Sequence, residues 1–297
     1  MDPLIVIFGL GIGLLVGATG LGGASLMTPL LIIVFGIKPV TAIGTDLAYG
    51  AVTKTVGGWR HFRQGTVHMG ISWWLAFGSI PGALIGVWGL GQLKAAHGDG
   101  FDKVIMLVIA GVVLIVGVIA LGRVLFRKNA AFDESESPEM TRRRKVQAIT
   151  IGLPVGIVIG ATSVGSGALI AIVLIFLYKL TPRRVVGTDV FHAALLLWVA
   201  AGAHIVSGNV DFLLAANILI GSVPGVWIGA KLAMKIPERA LRPTLGIVLV
   251  AVGIGLISKS GIVKMPAEVL LGVPLTLGLL TWFVHSARVR EVAPEGA

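Results

Sequence analysis

The chain has 297 residues, of which 56% are hydrophobic and only 13% are charged. Soluble domains carry about 25% charged residues, so this composition excludes a soluble globular domain and indicates that lipid is the main solvent. Cysteine is absent, which excludes disulfides and thiol chemistry. We attribute the net charge of +10 to Lys and Arg in cytoplasmic loops and expect no nucleic-acid partner.

Apolar segments follow one another along the whole chain and predict an all-α polytopic membrane protein. These segments are residues 3–37, 39–59, 69–93, 104–122, 146–178, 185–206, 212–230, 243–258 and 269–287. We predict a first transmembrane repeat over 1–126, a cytoplasmic charged linker over 127–146, and a second transmembrane repeat over 147–262. An extra transmembrane helix and a cytoplasmic tail then occupy 263–297.

Two of these segments, 3–37 and 146–178, are too long for one helix and too short for two spans. A single helix of that length would reach about 50 Å, whereas two spans and a turn need about 38–40 residues. Gly and hydroxyl residues interrupt both segments, at 17–25 and 160–168. We therefore predict two discontinuous re-entrant hairpins, whose breaks must be buried in protein or line a wet cavity.

Motifs recur along the chain at a constant offset of 143 residues. The loop rich in Arg and Lys before residue 146 predicts a cytoplasmic linker, and counting spans from it puts 36–39 outside and the equivalent 179–182 inside. The two repeats are therefore predicted to be inverted, with the N-terminus outside and the C-terminus cytoplasmic in the cell inner membrane. Inverted repeats with discontinuous helices are typical of secondary transporters. The matched motifs are Gly17-Ala18-Thr19 with Gly160-Ala161-Thr162, Gly44-Thr45-Asp46 with Gly187-Thr188-Asp189, and Ser79-x-Pro81-Gly82 with Ser222-x-Pro224-Gly225.

At these motifs the chain resembles the TauE/SafE family of sulfite and organosulfonate exporters, over nearly its whole length. The resemblance implies alternating-access export of a small sulfur-containing anion such as sulfite, sulfoacetate or another short organosulfonate. We expect no enzyme activity and no cofactor or metal, because we find no nucleophile, metal set or cofactor motif. An anion channel, or a transporter of another small organic anion, is the alternative on the same scaffold, and a homodimer is left open.

The start of a helix at each break offers free N–H groups and a positive dipole end to an anion. The alternative role for the small residues there is close helix packing. We predict that the following residues bind substrate: Thr19, Gly20, Gly22, Gly23, Ser25, Thr45, Lys54, Thr162, Ser163, Gly165, Ser166 and Thr188.

Lys54 is the most informative of them, because a cation in mid-span costs about 2.5–3.5 kcal/mol on insertion scales. It either contacts substrate or forms a structural ion pair, for which Asp189 is a better partner than Asp46.

Two further sets of residues each have two alternative roles. Ion coupling or helix capping is considered for Asp46, Asp189, His192, His61 and His204, and hinges or fixed bends are considered for Pro81, Gly82, Pro224 and Gly225.

Overall fold

The structure, a computed structural model, describes residues 2–19, 23–126, 138–233 and 238–262, together with 266, 268–270, 272–279 and 281. This part of the chain is all-helical. Its ten α-helices are α1 (Pro3–Thr19), α2 (Met27–Phe35), α3 (Pro39–Arg63), α4 (Met69–His97), α5 (Phe101–Phe126), α6 (Arg142–Thr162), α7 (Ala168–Phe176), α8 (Pro182–Val206), α9 (Phe212–Ala233) and α10 (Glu238–Ser260).

Six of the described helices are long and apolar enough to cross a membrane, so the chain is a multi-pass membrane protein. They are α4, α5, α6, α8, α9 and α10. Helix α3 is as long as α8, with 25 residues, but it carries more charged residues. Length and composition therefore do not mark α3 as a membrane span. The predicted C-terminal helix is described only as a short apolar stretch, Glu268–Leu279. Residues 127–137 of the predicted linker, and the tail from residue 282, lie outside the described residues.

The helices are interrupted at both Gly-rich stretches. Helix α6 ends at Thr162, where Ser163 adopts a left-handed conformation with φ 60°, and α7 begins at Ala168. Helix α1 ends at Thr19, and a short 3-10 helix at Gly23–Leu26 precedes α2. The two arms of each segment are unequal, with 17 and 9 residues in the first and 21 and 9 in the second. Helix α6, the longer arm of the second segment, is by itself long enough to cross a membrane.

Two helix pairs pack so closely that only glycine fits between them. A Cβ on Gly78 of α4 would overlap the backbone oxygen of Ile149 on α6. The same contact recurs 143 residues along, where a Cβ on Gly221 of α9 would overlap the backbone oxygen of Val6 on α1. Small residues at four-residue spacing let helix backbones approach in this way in membranes. The parallel pairs α4/α6 and α1/α9 therefore have equivalent interfaces.

Helices α3 and α8 cross antiparallel at the centre of the molecule. Gly50 packs against Leu197, and Gly57 packs against Val190. Each helix begins with a proline at its first position, where the missing N–H costs nothing. Because α2 leads into α3 and α7 leads into α8, this crossing brings both helix breaks toward the same central region.

Candidate functional site

The two breaks meet in one buried polar region. The N–H of Gly165 donates to Ser25 Oγ at 3.3 Å, which joins the second break to the first. The hydroxyl of Ser163 donates to Asp46 Oδ2 at 2.9 Å, which joins the second break to α3. We call the polar residues at this junction the central cluster. Its members are Ser25, Thr28, Asp46, Lys54, Ser163, Ser166 and Asp189.

Asp46 is fully supplied with hydrogen-bond donors. Its Oδ2 accepts from the hydroxyl of Thr28 at 2.6 Å as well as from Ser163, and the backbone N–H of Thr28 donates to the carboxylate too. Thr28 lies in the first turn of α2. The carboxylate of Asp46, in the second turn of α3, therefore caps the start of α2, where the helix dipole also favours a negative charge.

Asp189, the equivalent acid 143 residues along, has a different environment. Its side chain is completely buried, and neither carboxylate oxygen accepts a hydrogen bond from any described residue. Ala171 stands where the first half has Thr28, so the equivalent donor is missing. The charge partner of Asp189 is Lys54, whose Nζ lies 3.7 Å from Oδ2. The sequence argument favoured this partner over Asp46.

Lys54 brings a cation to the start of α7. Its side chain is 13% exposed, and Nζ donates to the backbone oxygen of Ser166 at 3.4 Å. Gly167, the residue before α7, provides no side-chain cap. An ammonium group and a helix N-terminus without a capping side chain therefore lie together, and both favour an anion. At α2, by contrast, the carboxylate of Asp46 already occupies the helix start.

A second matched pair of contacts flanks the cluster. His192 Nε2 lies 2.9 Å from Ser79 Oγ, and the equivalent residues Tyr49 and Ser222 are also hydrogen-bonded. His192 Nδ1 is buried without a hydrogen bond from the described residues. Sequence reasoning missed Tyr49 and Thr28 as neighbours of the site. The offset of 143 could have found Tyr49, because it aligns with His192.

Thr45 and Thr188 bind loop backbone. Thr45 accepts from the N–H of Asp211 at 3.0 Å, and Thr188 accepts from the N–H of His68 at 2.9 Å. Each contact holds the residue just before a neighbouring helix, α9 or α4.

The side chain of His68 lies in the loop before α4, and its Nδ1 accepts from the N–H of Ile71. Burial and the nearby Arg184 lower the pKa of His68.

The matched histidines lie near helix ends. His61 Nδ1 is 3.0 Å from Thr66 Oγ1, and His204 Nε2 is 3.0 Å from the backbone oxygen of Gly160. Thr162 donates to the oxygen of Val158 at 2.6 Å and closes the end of α6. In the described part of the chain, no three His, Asp or Glu side chains form a group that could hold a metal.

The remaining predicted residues lie on helices or outside the description. Pro81 and Pro224 lie inside the continuous helices α4 and α9. Each following glycine, Gly82 or Gly225, packs against the backbone of a neighbouring helix. In the first break, Gly20 and Gly22 lie outside the described residues, as does the side chain of Thr19, and Gly23 begins the 3-10 helix.

Comparison with known proteins identifies relatives over most of the chain. Residues 5–256 match a family model described as "Sulfite exporter TauE/SafE". A Bacillus subtilis (strain 168) protein, "Probable membrane transporter protein YjnA", is 37% identical over 257 residues, which cover 86% of this chain and 100% of that protein. The B. subtilis protein YdhB, similarly named, is 29% identical over 82% of this chain and 94% of its own. A "Probable membrane transporter protein" of Xylella fastidiosa (strain Temecula1 / ATCC 700964) is 25% identical, over 88% and 97%. No solved structure matches the chain.

Proposed function

The chain belongs to the sulfite exporter TauE/SafE family of membrane transporters, and we propose that it exports a small sulfur-containing anion by alternating access. Sulfite, sulfoacetate and other short organosulfonates are the proposed substrates. The names of the family and of the relatives indicate a transporter rather than an enzyme.

One observation carries this proposal, namely a partly buried cation beside a helix start inside a membrane protein. Lys54 lies at the second break, 3.4 Å from the backbone oxygen of Ser166 and next to the start of α7. The hydroxyls of Ser163 and Ser25 lie in the same cluster. A sulfonate or sulfite group is bound by a positive charge and by hydrogen-bond donors. The ammonium of Lys54 and the N–H groups at the start of α7 supply both, whereas the Ser163 hydroxyl already donates to Asp46.

Contacts within each interrupted segment support re-entrant hairpins. The Tyr178 hydroxyl donates to the backbone oxygen of Arg144 at 2.9 Å, so the segment returns to the level at which it started. In the first segment, the rings of Phe8 and Phe35 pack with centroids 4.8 Å apart. The helices that follow, α3 and α8, run antiparallel. This antiparallel course supports the proposal that the two hairpins open toward opposite ends of the bundle, as inverted repeats require.

Cysteine accessibility tests this inverted arrangement, and the natural absence of cysteine makes single-cysteine variants straightforward. Lys38 and Lys179 are exposed residues at the ends of the two segments. We expect Lys38→Cys to react with a membrane-impermeant maleimide in intact cells. We expect Lys179→Cys to react only after the cells are permeabilised. Equal labelling of both variants in intact cells would contradict inverted repeats.

Counterflow in proteoliposomes tests the function itself. We expect vesicles that contain the purified chain and unlabelled sulfite to accumulate labelled sulfite transiently, with saturation as its concentration rises. Unlabelled sulfoacetate and methanesulfonate are tested as competitors, and protein-free vesicles are the control. Flux that does not saturate and follows only the membrane potential would favour the channel. A lack of exchange with sulfite, and with sulfoacetate and methanesulfonate when each is supplied as the labelled anion, would contradict the proposed substrate class.

A further inference from the structure

We infer that binding of the anion at Lys54 and protonation of Asp189 are one linked event, so that the transporter moves one proton with each monovalent anion. The inference rests on the proposed function, since it needs an anion at Lys54. Its structural basis is the difference between two equivalent acids in the same cluster. Among the residues that the structure describes, Asp46 has hydroxyl and backbone donors, whereas Asp189 has only the ammonium of Lys54 as a partner.

In the empty site, the ammonium of Lys54 balances the carboxylate of Asp189 at 3.7 Å. An anion that binds the ammonium takes over this charge partner. The Asp189 carboxylate would then be a completely buried charge without a hydrogen bond from the described residues, and an unpaired buried charge is among the most costly arrangements in a membrane. Uptake of one proton from the aqueous side that the site faces converts the carboxylate to a neutral carboxylic acid. The site therefore has the same net charge when it is empty and when it is loaded.

The ionisable groups on the surrounding helices leave Asp189 as the proton acceptor. Helix α3 contributes Lys54, Tyr49 and Asp46. Burial disfavours the charged form of Asp46 as it does that of Asp189, but the donors from Thr28 and Ser163 offset part of this cost at Asp46. On α8 itself, His192 bonds through Nε2 to Ser79 of α4. The membrane portions of α4, α6 and α7 contain no ionisable side chain. Arg184 and His68 lie beyond Thr188, at the end of the bundle.

A proton fits this place better than a metal cation does. The ammonium of Lys54 already occupies the cation position at Asp189. Sodium would need several further oxygen ligands around the carboxylate, whereas a proton needs only the carboxylate itself. Because Leu197 replaces Lys54 in the second repeat, the site has a single linked pair, which predicts one proton per monovalent anion.

Asp189→Asn separates proton coupling from anion binding, because asparagine imitates the neutral acid of the loaded site. In proteoliposomes with methanesulfonate, a permanent monoanion, counterflow at equal pH measures how much anion exchange this variant retains. We expect its net uptake to lose the wild-type response to an imposed pH gradient, a loss of about tenfold per pH unit. Its net uptake should instead respond to membrane potential, since the empty site now carries an unbalanced ammonium. If sulfite is the only anion that is exchanged, the wild type and Asp189→Asn are compared with sulfite at the same pH. The titration of sulfite itself then affects both measurements equally.

Asp46→Asn is the matched control, because it makes the same chemical change at the equivalent position of the first repeat. Whatever flux it retains should still follow the pH gradient. In wild-type vesicles that contain a pH-sensitive dye, entry of the anion should acidify the interior. Counterflow without acidification, a dependence on sodium, or an unchanged pH response in Asp189→Asn would overturn the inference while leaving the proposed function intact. A wild-type protein that exchanges none of the tested anions would instead overturn the proposed function.

Discussion

Replacement of Lys54 by alanine is expected to reduce anion counterflow by about 100-fold or more, which corresponds to the roughly 3 kcal/mol of one charge-assisted contact. Lys54 is the cation at the second break, and it contacts both Asp189 and the backbone of Ser166. The variant leaves the hydroxyls of Ser25 and Ser163 in place, but an anion would then meet two buried carboxylates without a counter-charge. Labelled-sulfite counterflow in proteoliposomes measures the loss.

The single variant also affects folding, because it leaves Asp189 as an unpaired buried charge at a cost of about 3–5 kcal/mol. A double variant, Lys54→Ala with Asp189→Asn, removes both charges and should recover a monodisperse size-exclusion profile. We expect it to remain inactive in counterflow. Lys259→Ala is the matched control, since the exposed Lys259 also donates to a backbone oxygen, that of Ile33, but lies on α10. A folded double variant with wild-type counterflow would exclude Lys54 from the binding site.

Much of the helical framework could be predicted from the sequence, for local reasons. Pro39 and Pro182 each stand at the start of a helix, because proline suits the first helical position. Both helices are 25 residues long. The Gly and hydroxyl stretches interrupt helices, since their residues stabilise helix interiors poorly. The unequal arms could not be predicted, because both arms are uniformly apolar and composition does not fix where the bend falls. Tertiary contacts with α4 and α9 hold the longer arms.

The charged residues of the candidate site could be predicted from the sequence, but the hydrogen-bond partners of its two acids could not. The cost of a mid-span cation singles out Lys54. Asp46 lies eight residues before Lys54 on the same helix, about 12 Å along its axis, which is too far for a direct ion pair. The asymmetry between the two acids depends on Thr28, eighteen residues before Asp46 and on another helix. No local pattern connects the two positions. Only the folded chain, in which the start of α2 meets α3, reveals that Asp46 has hydroxyl and backbone donors, whereas Asp189 has Lys54 alone among the described residues.

Replacement of Gly78 by alanine is expected to destabilise the protein through one interface. In a free helix this change would gain about 1 kcal/mol of helix propensity. In α4, however, the new Cβ would overlap the backbone oxygen of Ile149, and a backbone cannot move aside as a flexible side chain can. Overpacking of this kind costs about 1–3 kcal/mol, and the two helices must separate along their whole contact to relieve it. Thermal unfolding in detergent, followed by size-exclusion chromatography, measures the change.

Gly89→Ala is the matched control, because Gly89 lies on the same helix and its added Cβ would meet nothing within 4 Å. This variant should unfold at or above the wild-type temperature, whereas Gly78→Ala should unfold lower by about 2–4 °C for each kcal/mol lost. Gly221→Ala should behave like Gly78→Ala, because it meets the backbone of Val6 at the equivalent place. Equal melting temperatures for Gly78→Ala and Gly89→Ala would contradict close packing of α4 on α6. A loss at Gly78 without one at Gly221 would show that the two interfaces are not energetically equivalent, although their contacts match.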